Sequence, residues 1–318
     1  MDEQLVDNGD ITLRVEVTGD GATLLFVHGW PENPHSWRHQ VAHFADRGYR
    51  CAALDVRGYG GSSNPPGIDR YTLRELAGDV AAVAAAISDE PVVLVGHDWG
   101  APIVWHTAIR YPERVRGVAG LSVPHTPPMP FSLLDLFDQL YAGRFFYMLH
   151  FQEPGVVEAE FAQDLRGALK KVYFALSAAG PRDPLVSDLP RHTPLTEVLP
   201  EPPAGPLPFL GDDDLDVYVR AFERSGTHGG FNRYRALALE VEAAADIVGA
   251  TVDRPSCFIG GEFDVVRTMI PGADSFADPG AGCTDFRGTT IVPGAGHWVQ
   301  QEAPGEVNAA LERFLASL

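Results

Sequence analysis

The chain has 318 residues, 45% of them hydrophobic, which is enough to bury the core of one large α/β domain with an insertion or of two modest domains. Its 43 acidic and 24 basic residues give a net charge of −19, which argues against binding to nucleic acids or anionic membranes. The N-terminus lacks the features of a signal peptide, and no uncharged apolar run reaches the roughly 18 residues of a membrane span. With three scattered cysteines outside metal-ligand spacing, these features predict a cytoplasmic protein without a metal site.

The first part of the chain alternates between strand and helix patterns. Ile11 to Thr18 alternates polar and apolar residues between glycine-containing turns, which predicts an antiparallel strand at the edge of a sheet. Hydrophobic spacing then predicts strands at 23–27, 50–54, 91–95 and 116–123, and helices at 34–47, 71–87 and 101–110. Strands that alternate with helices in this way predict a mostly parallel sheet with helices on both faces.

The alternation stops near residue 125. From there to residue 245 the chain shows helical patterns and no strong strand, and the many prolines of 181–208 predict a loop. Strand patterns return near the C-terminus, at 255–259 and 286–292. We therefore predict an α/β core with an inserted α-helical cap, divided as core 1–124, cap 125–245 and core 246–318.

The segment from Val92 to Gly100 joins a buried strand to a helix through a turn framed by glycines. Gly96 and Gly100 leave room for close backbone approach, so Asp98 between them stands on a strained, exposed apex. A strand, sharp turn and helix of this kind are typical of the nucleophile elbow of the α/β-hydrolases. A carboxylate at the apex can open a strained ring or displace a halide by forming an ester with the enzyme. The alternative interpretation of Asp98 is a simple helix N-cap.

Asp264 and His297 complete a candidate catalytic triad with Asp98. Each of the three follows the carboxyl end of a predicted strand, where parallel sheets bind ligands, and their order along the chain is that of the α/β-hydrolase triad. A neutral histidine is a suitable base for the water that hydrolyses an aspartyl ester, and a carboxylate fixes its tautomer. Glu262 is the alternative carboxylate, and a structural buried histidine is the alternative for His297.

The segment His28-Gly29-Trp30-Pro31 follows the strand expected beside the elbow strand. When water attacks the ester, the oxygen that becomes negative needs two hydrogen-bond donors, and the backbone N–H groups of Trp30 and Trp99 are the candidates for this oxyanion hole. Pro31 would keep the chain from rejoining the sheet. A plain tight turn is the alternative interpretation.

Segments spread over nearly the whole chain resemble the epoxide hydrolases of the α/β-hydrolase superfamily, in particular the soluble branch. The matching segments are His28-Gly-Trp-Pro31, Asp55-Val-Arg-Gly-Tyr-Gly-Gly-Ser-Ser63, Gly96-His-Asp-Trp-Gly100, Phe151-Gln-Glu-Pro-Gly155 and Gly296-His-Trp298. The resemblance implies hydrolysis of a small-molecule epoxide to a vicinal diol through a covalent aspartyl ester, with no cofactor or metal. It also implies a homodimer through the cap.

The resemblance further implies a pair of cap tyrosines that hydrogen-bond the epoxide oxygen and donate a proton as the ring opens. By position these are Tyr147 and Tyr234, with Tyr141 and Tyr173 as rival candidates. A phenol is neutral at pH 7 and can donate directly to a developing alkoxide. We expect the substrate to contact His28, Pro31, Trp99, His150, Phe151 and Trp298.

Two other functions remain open at this point. A haloalkane dehalogenase would use the same aspartate, histidine and acid, and Trp99 suits a halide site, but that chemistry does not need paired cap tyrosines. A non-catalytic binding protein would keep the pocket and lose part of the triad, whereas every catalytic position is filled here. His150 stands where the family commonly has an aromatic residue, a departure that concerns the pocket rather than the chemistry.

Overall fold

The computed structural model describes residues 2–318 and contains a central sheet of eight strands and a second sheet of two. In chain order the strands are β1 (Asp2–Asn8), β2 (Ile11–Thr18), β3 (Ala22–Val27), β4 (Tyr49–Leu54), β5 (Val92–His97), β6 (Val115–Leu121), β7 (Arg144–Phe146), β8 (Val186–Pro190), β9 (Ser256–Gly261) and β10 (Phe286–Val292). The helices are α1 (Arg38–Ala45), α2 (Leu73–Ile87), α3 (Gly100–Arg110), α4 (Leu133–Leu140), α5 (Tyr147–His150), α6 (Val156–Gln163), α7 (Leu165–Leu176), α8 (Leu195–Val198), α9 (Asp212–Ser225), α10 (His228–Arg235), α11 (Glu240–Ala243), α12 (Val299–Glu302) and α13 (Pro304–Leu315). Within residues 2–318, none of these helices has the length and apolar character needed to cross a membrane.

The central sheet is almost entirely parallel. Its strand order is β1-β2-β4-β3-β5-β6-β9-β10, and only β2 runs opposite to the other strands. Parallel neighbours cannot be joined by tight turns, so the chain crosses between them through helices. The predicted mostly parallel sheet is therefore confirmed, and the elbow strand β5 lies at its centre between β3 and β6.

Two hydrophobic clusters cover the two faces of this sheet. Successive side chains of a strand point to opposite faces, so Leu25 and Val27 of β3 pack into one cluster while Leu24 and Phe26 pack into the other. Helices α2 and α3 cover the first face, and α1 and α13 cover the second. Burial on both faces explains why the central strands appear in the sequence as nearly continuous apolar runs.

The prediction that Ile11–Thr18 is the edge strand is wrong. This segment is a strand, but β1 pairs antiparallel along its outer side and forms the edge instead. Only Val6 of β1 is buried, and its other side chains are exposed or half-buried. Such a segment has no apolar alternation that could identify it from sequence, and its acidic side chains protect the edge from pairing with another chain.

The region between β6 and β9 is mainly helical, with one small sheet that the sequence did not indicate. β7 and β8 pair antiparallel, with Phe146 opposite Val186, so the prediction that 181–208 is entirely loop is wrong. The buried side chains of this strand pair belong to β7, where Phe145 and Phe146 are buried. The residues of β8 are half-buried or exposed, and β8 ends at Pro190. Because β8 contributes little hydrophobic signal, its pairing depends on contacts distant in sequence. The division into core and cap at residues 124 and 245 stays a prediction.

Candidate active site

The turn between β5 and α3 holds Asp98 at the carboxyl edge of the central sheet. Every residue of β5 is buried, and the chain then turns sharply, with Asp98 in the left-handed backbone region at φ 50°. Gly100 permits this turn, because a Cβ there would clash with the carbonyl oxygen of Val27 on the neighbouring strand. The strand and helix are thus brought close together, and the Asp98 side chain stays partly accessible at the apex.

His297 lies between two carboxylates. Its Nε2 is 3.3 Å from Asp98 Oδ2, and its Nδ1 is 3.0 Å from Asp264 Oδ1. The first contact is at ion-pair distance without the alignment of a hydrogen bond. Asp264 is fixed by the N–H of Val266, which donates to Asp264 Oδ1 at 3.0 Å. The structure therefore brings the three residues of the predicted triad together, whereas Glu262 is exposed and its carboxylate accepts the backbone N–H of Gly294, at the start of the loop that carries His297.

The two carboxylates control the charge of His297. Burial lowers the pKa of this imidazole, but the negative charges of Asp264 and Asp98 outweigh burial and raise the pKa well above its ordinary value. The side chain of His297 is 2% exposed, so water does little to screen these charges. The two carboxylates therefore favour the protonated form of the His297 imidazole in the resting site.

The turn after β3 brings a backbone donor to Asp98. The N–H of Trp30 donates to Asp98 Oδ1 at 2.8 Å. Close approach depends on Gly29, because a Cβ at that position would clash with the Asp98 carboxylate and lie 2.7 Å from the backbone nitrogen of Trp99. The N–H of Trp30 thus contacts the Asp98 carboxylate, and the backbone nitrogen of Trp99, the second donor predicted for the oxyanion hole, lies beside Gly29 of the same turn.

Tyr147 and Tyr234 lie together above this turn. Their ring centroids are 5.7 Å apart, and Tyr234 packs edge-on against Trp99 at 5.2 Å. Burial, reinforced by the charge of Asp98, raises the pKa of both phenols well above 10, so both keep their protons at neutral pH. The two rival tyrosines use their hydroxyls elsewhere, because Tyr141 donates to the carbonyl of Met269 and Tyr173 donates to that of Pro31.

A buried network behind Asp98 was not identified from the sequence. Glu32 Oε2 accepts the N–H of Gly29 at 3.1 Å and lies 2.7 Å from His97 Nδ1, while His97 Nε2 lies 2.7 Å from the carbonyl oxygen of His297. Burial favours the neutral acid of Glu32, but the charge of His97 outweighs burial and lowers the pKa of Glu32. The network links the turn that carries Trp30 to the segment that carries His297. Glu32 directly follows a recognised motif, yet nothing in its spacing indicates where its side chain points.

Among the six residues predicted to contact the substrate, Trp99 is the one that lines the cavity beside Asp98. His28 lies behind the cavity, where its Nδ1–H donates to the carbonyl of Gly29 and its Nε2 accepts the N–H of Val56. Burial lowers the pKa of His28, in agreement with this neutral arrangement. Pro31 is not part of the cavity lining, and its carbonyl oxygen accepts a hydrogen bond from the hydroxyl of Tyr173.

The remaining three predicted contacts support the residues around the cavity. Phe151 packs edge-on against the rings of Tyr147 and Tyr234 at 5.6 and 5.0 Å. His150 is buried with its Nε2 2.7 Å from Glu160 Oε1. Trp298 is fully buried. The structure thus places these side chains beside the site and away from the cavity surface, and their contact with substrate stays a prediction.

The cavity next to Asp98 has a volume of about 390 Å³ and a mostly apolar wall. Its lining includes Asp98, Trp99 and Tyr147, together with Pro102 and Trp105 of α3. Further apolar side chains come from the segment after β6, from α4, and from the segment around α11. A concave apolar site with a few polar groups is suited to a small molecule that carries one reactive group.

Comparison with known proteins identifies the family. The family model for the alpha/beta hydrolase fold matches residues 22–156. The chain is 40% identical to Epoxide hydrolase A of Mycobacterium tuberculosis, over 99% of this chain and 98% of that protein. It is 35% identical to Epoxide hydrolase 1 of Siraitia grosvenorii, over 98% of this chain and 96% of that protein.

Solved structures agree with the sequence relatives. An epoxide hydrolase from an endophytic Streptomyces superimposes with a TM-score of 0.92 at 37% identity, covering 99% of this chain and 95% of that chain. Epoxide hydrolase I of potato (Solanum tuberosum) superimposes with a TM-score of 0.90 at 35% identity, covering 100% and 99%. The α/β-hydrolase fold and the family resemblance predicted from the motifs are therefore confirmed. The chain belongs to the epoxide hydrolases, enzymes of the α/β-hydrolase fold that convert an epoxide and water into a vicinal diol.

Proposed function

We propose that Asp98 attacks a ring carbon of the epoxide while Tyr147 and Tyr234 hydrogen-bond the epoxide oxygen. The attack forms a C–O bond to the Asp98 carboxylate and breaks the C–O bond of the ring, and one phenol gives its proton to the released alkoxide. The raised pKa of both tyrosines supports this role, since each is a neutral donor at neutral pH. The observation that supports the scheme most directly is the position of His297. Its Nε2 lies 3.3 Å from Asp98 Oδ2, and its Nδ1 lies 3.0 Å from Asp264 Oδ1.

In the second step, His297 takes a proton from water, which attacks the ester carbon of Asp98. Before this step the imidazolium gives its proton to the tyrosinate that ring opening leaves, and the loss of charge on Asp98 favours this transfer because it lowers the pKa of His297. Asp98 and Asp264 together raise the pKa of the imidazole in the resting site, and the neutral ester removes the contribution of Asp98. Asp264 then holds the ring and stabilises the imidazolium as it forms.

The oxyanion of the second step develops on the Asp98 carbonyl oxygen. The N–H of Trp30 lies 2.8 Å from Asp98 Oδ1, and the N–H of Trp99 directly follows Asp98 along the chain. Donors that are already in position need no reorganisation when the charge appears, and this makes them effective. When the tetrahedral intermediate collapses, the C–O bond to the substrate breaks and the departing oxygen takes the proton of the newly added hydroxyl. The diol then leaves, the Asp98 carboxylate is regenerated, and His297 is again an imidazolium.

The origin of the diol oxygen tests this scheme. A single turnover in heavy-oxygen water, with enzyme in excess over an epoxide such as styrene oxide, should give a first diol whose new oxygen is unlabelled. The label should appear in the Asp98 carboxylate, because water attacks the ester carbon rather than the substrate. Mass spectrometry of the diol and of the peptide that contains Asp98 measures both. A labelled diol in the first turnover, with unlabelled Asp98, would mean direct attack by water.

The tyrosine pair gives a second test. Tyr147→Phe and Tyr234→Phe should each slow ring opening by about a hundredfold, because each removes one donor to the developing alkoxide. Substrate binding should change far less, since the phenyl ring keeps its packing. Stopped-flow measurement of ester formation against epoxide concentration separates the two effects.

Tyr141→Phe is the matched control for this pair, since its hydroxyl donates to the carbonyl of Met269. We expect Tyr141→Phe to leave the rate of ring opening close to that of the parent enzyme. An equal loss of binding and of rate in the Tyr147 and Tyr234 variants would instead indicate that these side chains only pack against the substrate.

Two further proposals concern the cellular location and the oligomeric state of the enzyme. We propose a cytoplasmic location, which the free thiols of Cys51, Cys257 and Cys283 support, because a reducing compartment keeps such thiols unpaired. We also propose a homodimer, implied by the family resemblance, which light scattering of the purified chain tests.

A further inference from the structure

Among the residues that the structure describes, the wall of the cavity beside Asp98 has no positively charged side chain. The ionisable side chains that line it are Asp98, Tyr147, Glu240 and two histidines, His106 and His125. Burial lowers the pKa of His106 to about 3 and the pKa of His125 to about 4, so both imidazoles are neutral at physiological pH. Tyr147 keeps its proton there as well. The charged side chains of the lining are therefore two carboxylates.

Glu240 is the carboxylate of the lining that the proposed chemistry does not use. It lies on α11 with its side chain 17% exposed, and its Oε1 is 2.5 Å from Nη2 of Arg233. The same oxygen accepts the backbone N–H of Leu73 at 2.9 Å. Its Oε2 is buried and has no hydrogen-bond partner among residues 2–318. A ligand therefore does not touch that oxygen, and Glu240 acts on a ligand through its charge.

The ion pair between Glu240 and Arg233 has only its negative member at the cavity. Glu240 is part of the lining, whereas Arg233 is 2% exposed and is not. The guanidinium carbon of Arg233 lies 4.6 Å from the ring centroid of Trp99, and its Nη1–H donates to the carbonyl of Tyr71. Charges in a mostly apolar wall are weakly screened, so they act on a ligand without contact. Because the carboxylate borders the cavity and the guanidinium does not, the pair makes the potential in the cavity more negative.

The segments that supply most of the lining have the same sign of charge. They are residues 124–137, 237–244 and 266–275. Their acidic residues are Asp135, Glu240, Glu242 and Asp274, and their basic residue is Arg267. Arg267 is already paired, with its Nη2 2.5 Å from Asp274 Oδ2. These segments therefore offer an entering anion no unpaired positive charge.

We propose that Glu240 makes this enzyme select its substrates by charge, so that it hydrolyses uncharged epoxides and rejects epoxides that carry an ionised carboxylate into the cavity. An ionised acid loses its hydration on entry, and no opposite charge in this wall replaces it. Epoxides with a hydrocarbon, ester or amide group do not incur this cost. The selectivity rests on the proposed attack by Asp98, because that residue places the epoxide in this cavity.

Three terminal epoxides with the same short chain test the selectivity, ending in a carboxylate, a primary amide or a methyl ester. The amide has nearly the shape of the carboxylate and lacks its charge, so the ratio of kcat/KM for the amide to that for the acid isolates the effect of charge. At neutral pH the parent enzyme should favour the amide by about a hundredfold, the scale expected for a like-charge contact without a counter-ion. The ester should be converted at least as well as the amide.

Glu240→Gln should reduce this ratio by at least about tenfold. The variant keeps the size of the side chain and an oxygen for the N–H of Leu73, but it removes the negative charge and leaves Arg233 without its ionic partner. Glu242→Gln is the matched control, because it makes the same change in net charge at an exposed position that is not part of the lining. It should keep the parent ratio.

Ser275→Lys provides a second variant that leaves the ion pair intact. Ser275 lines the cavity and is half-buried, so a lysine there adds a positive charge to the wall. The ratio of amide to acid should fall in this variant as well. Because both substrates are measured on one preparation, the folded fraction of the protein cancels from the ratio. If Glu240→Gln does not fold, Ser275→Lys carries the same test, and an unchanged ratio there would overturn the proposal.

The outcomes separate the selectivity from the catalytic scheme. Conversion of the acid as fast as the amide by the parent enzyme would overturn the selectivity and leave the role of Asp98 intact. Equal falls of the ratio in Glu240→Gln and Glu242→Gln would overturn the specific role of Glu240. Conversion of the ester alone would show rejection of polar groups rather than of charge. Failure to convert any of the three epoxides would overturn the selectivity together with the catalytic scheme.

Discussion

Replacing Asp98 by alanine is expected to reduce diol formation by at least about ten-thousand-fold, the scale of loss seen when a nucleophile is removed from an enzyme that works through a covalent intermediate. No ester can form without the carboxylate, so both steps of the reaction are lost together. The other groups at the site would still bind the epoxide and donate to its oxygen, and so a small residual rate is expected. Product analysis at high enzyme concentration measures it.

A second variant is needed because Asp98 has a left-handed backbone conformation. With φ at 50°, alanine is strained at this position, whereas asparagine tolerates the left-handed region. Asp98→Asn also keeps an oxygen that accepts the N–H of Trp30. We expect Asp98→Asn to match the parent enzyme in thermal unfolding and to lose activity as Asp98→Ala does. Substantial turnover by a pure Asp98→Asn protein, with its intact mass verified, would contradict a covalent role for this side chain.

The central sheet was predictable because burial on both faces produces an unmistakable sequence pattern. Strands β3 to β6 and the helices between them have apolar runs or helical spacing, and each was located to within a few residues. Strands at the edges of the two sheets have weaker hydrophobic patterns in the sequence. β1 buries only Val6, and β8 is half-buried or exposed, so neither carries the alternation by which a strand is recognised. Both form because a partner strand from another part of the chain supplies the hydrogen bonds and most of the packing.

The site was predictable where a residue's role depends on its place at the end of a strand. Asp98, Asp264 and His297 follow β5, β9 and β10, and the topology brings them within hydrogen-bond or ion-pair distance. Residues whose function depends on side-chain direction were not predictable in this way. His28 belongs to a recognised motif yet uses both ring nitrogens in contacts with the backbone, whereas His106 belongs to no motif and is part of the cavity lining.

The electrostatics of the site could not be obtained from sequence spacing. The raised pKa of His297 depends on two carboxylates at specific distances from its two nitrogens. In the proposed mechanism, Asp98 loses its charge only when the ester forms. A histidine that is close to an aspartate in sequence would not indicate that the charge beside the imidazole changes during the reaction. The three-dimensional arrangement therefore supports the proposed order of steps, in which ester formation prepares His297 to act as the base.

His297→Gln is expected to open the epoxide at a rate close to that of the parent enzyme and then to stop at the ester. Water has no base in this variant, so hydrolysis should slow by about a thousandfold, within the range for loss of a general base. The intact mass of the protein should increase by the mass of the epoxide, and the adduct should map to the peptide that contains Asp98. Rapid mixing followed by mass spectrometry measures both steps.

The pH dependence of ester hydrolysis tests whether neutral His297 acts as the base. Only the neutral imidazole accepts a proton from water, so ester hydrolysis in the parent enzyme should be slow at low pH, rise with pH and then level off. Because the ester has removed the charge of Asp98, the midpoint should lie below the raised pKa of His297 in the resting site, where both carboxylates are charged. Asp264→Asn should shift the midpoint lower still, since it removes the remaining negative charge. A rate of hydrolysis independent of pH in the parent enzyme, or no adduct in His297→Gln, would show that another group activates the water.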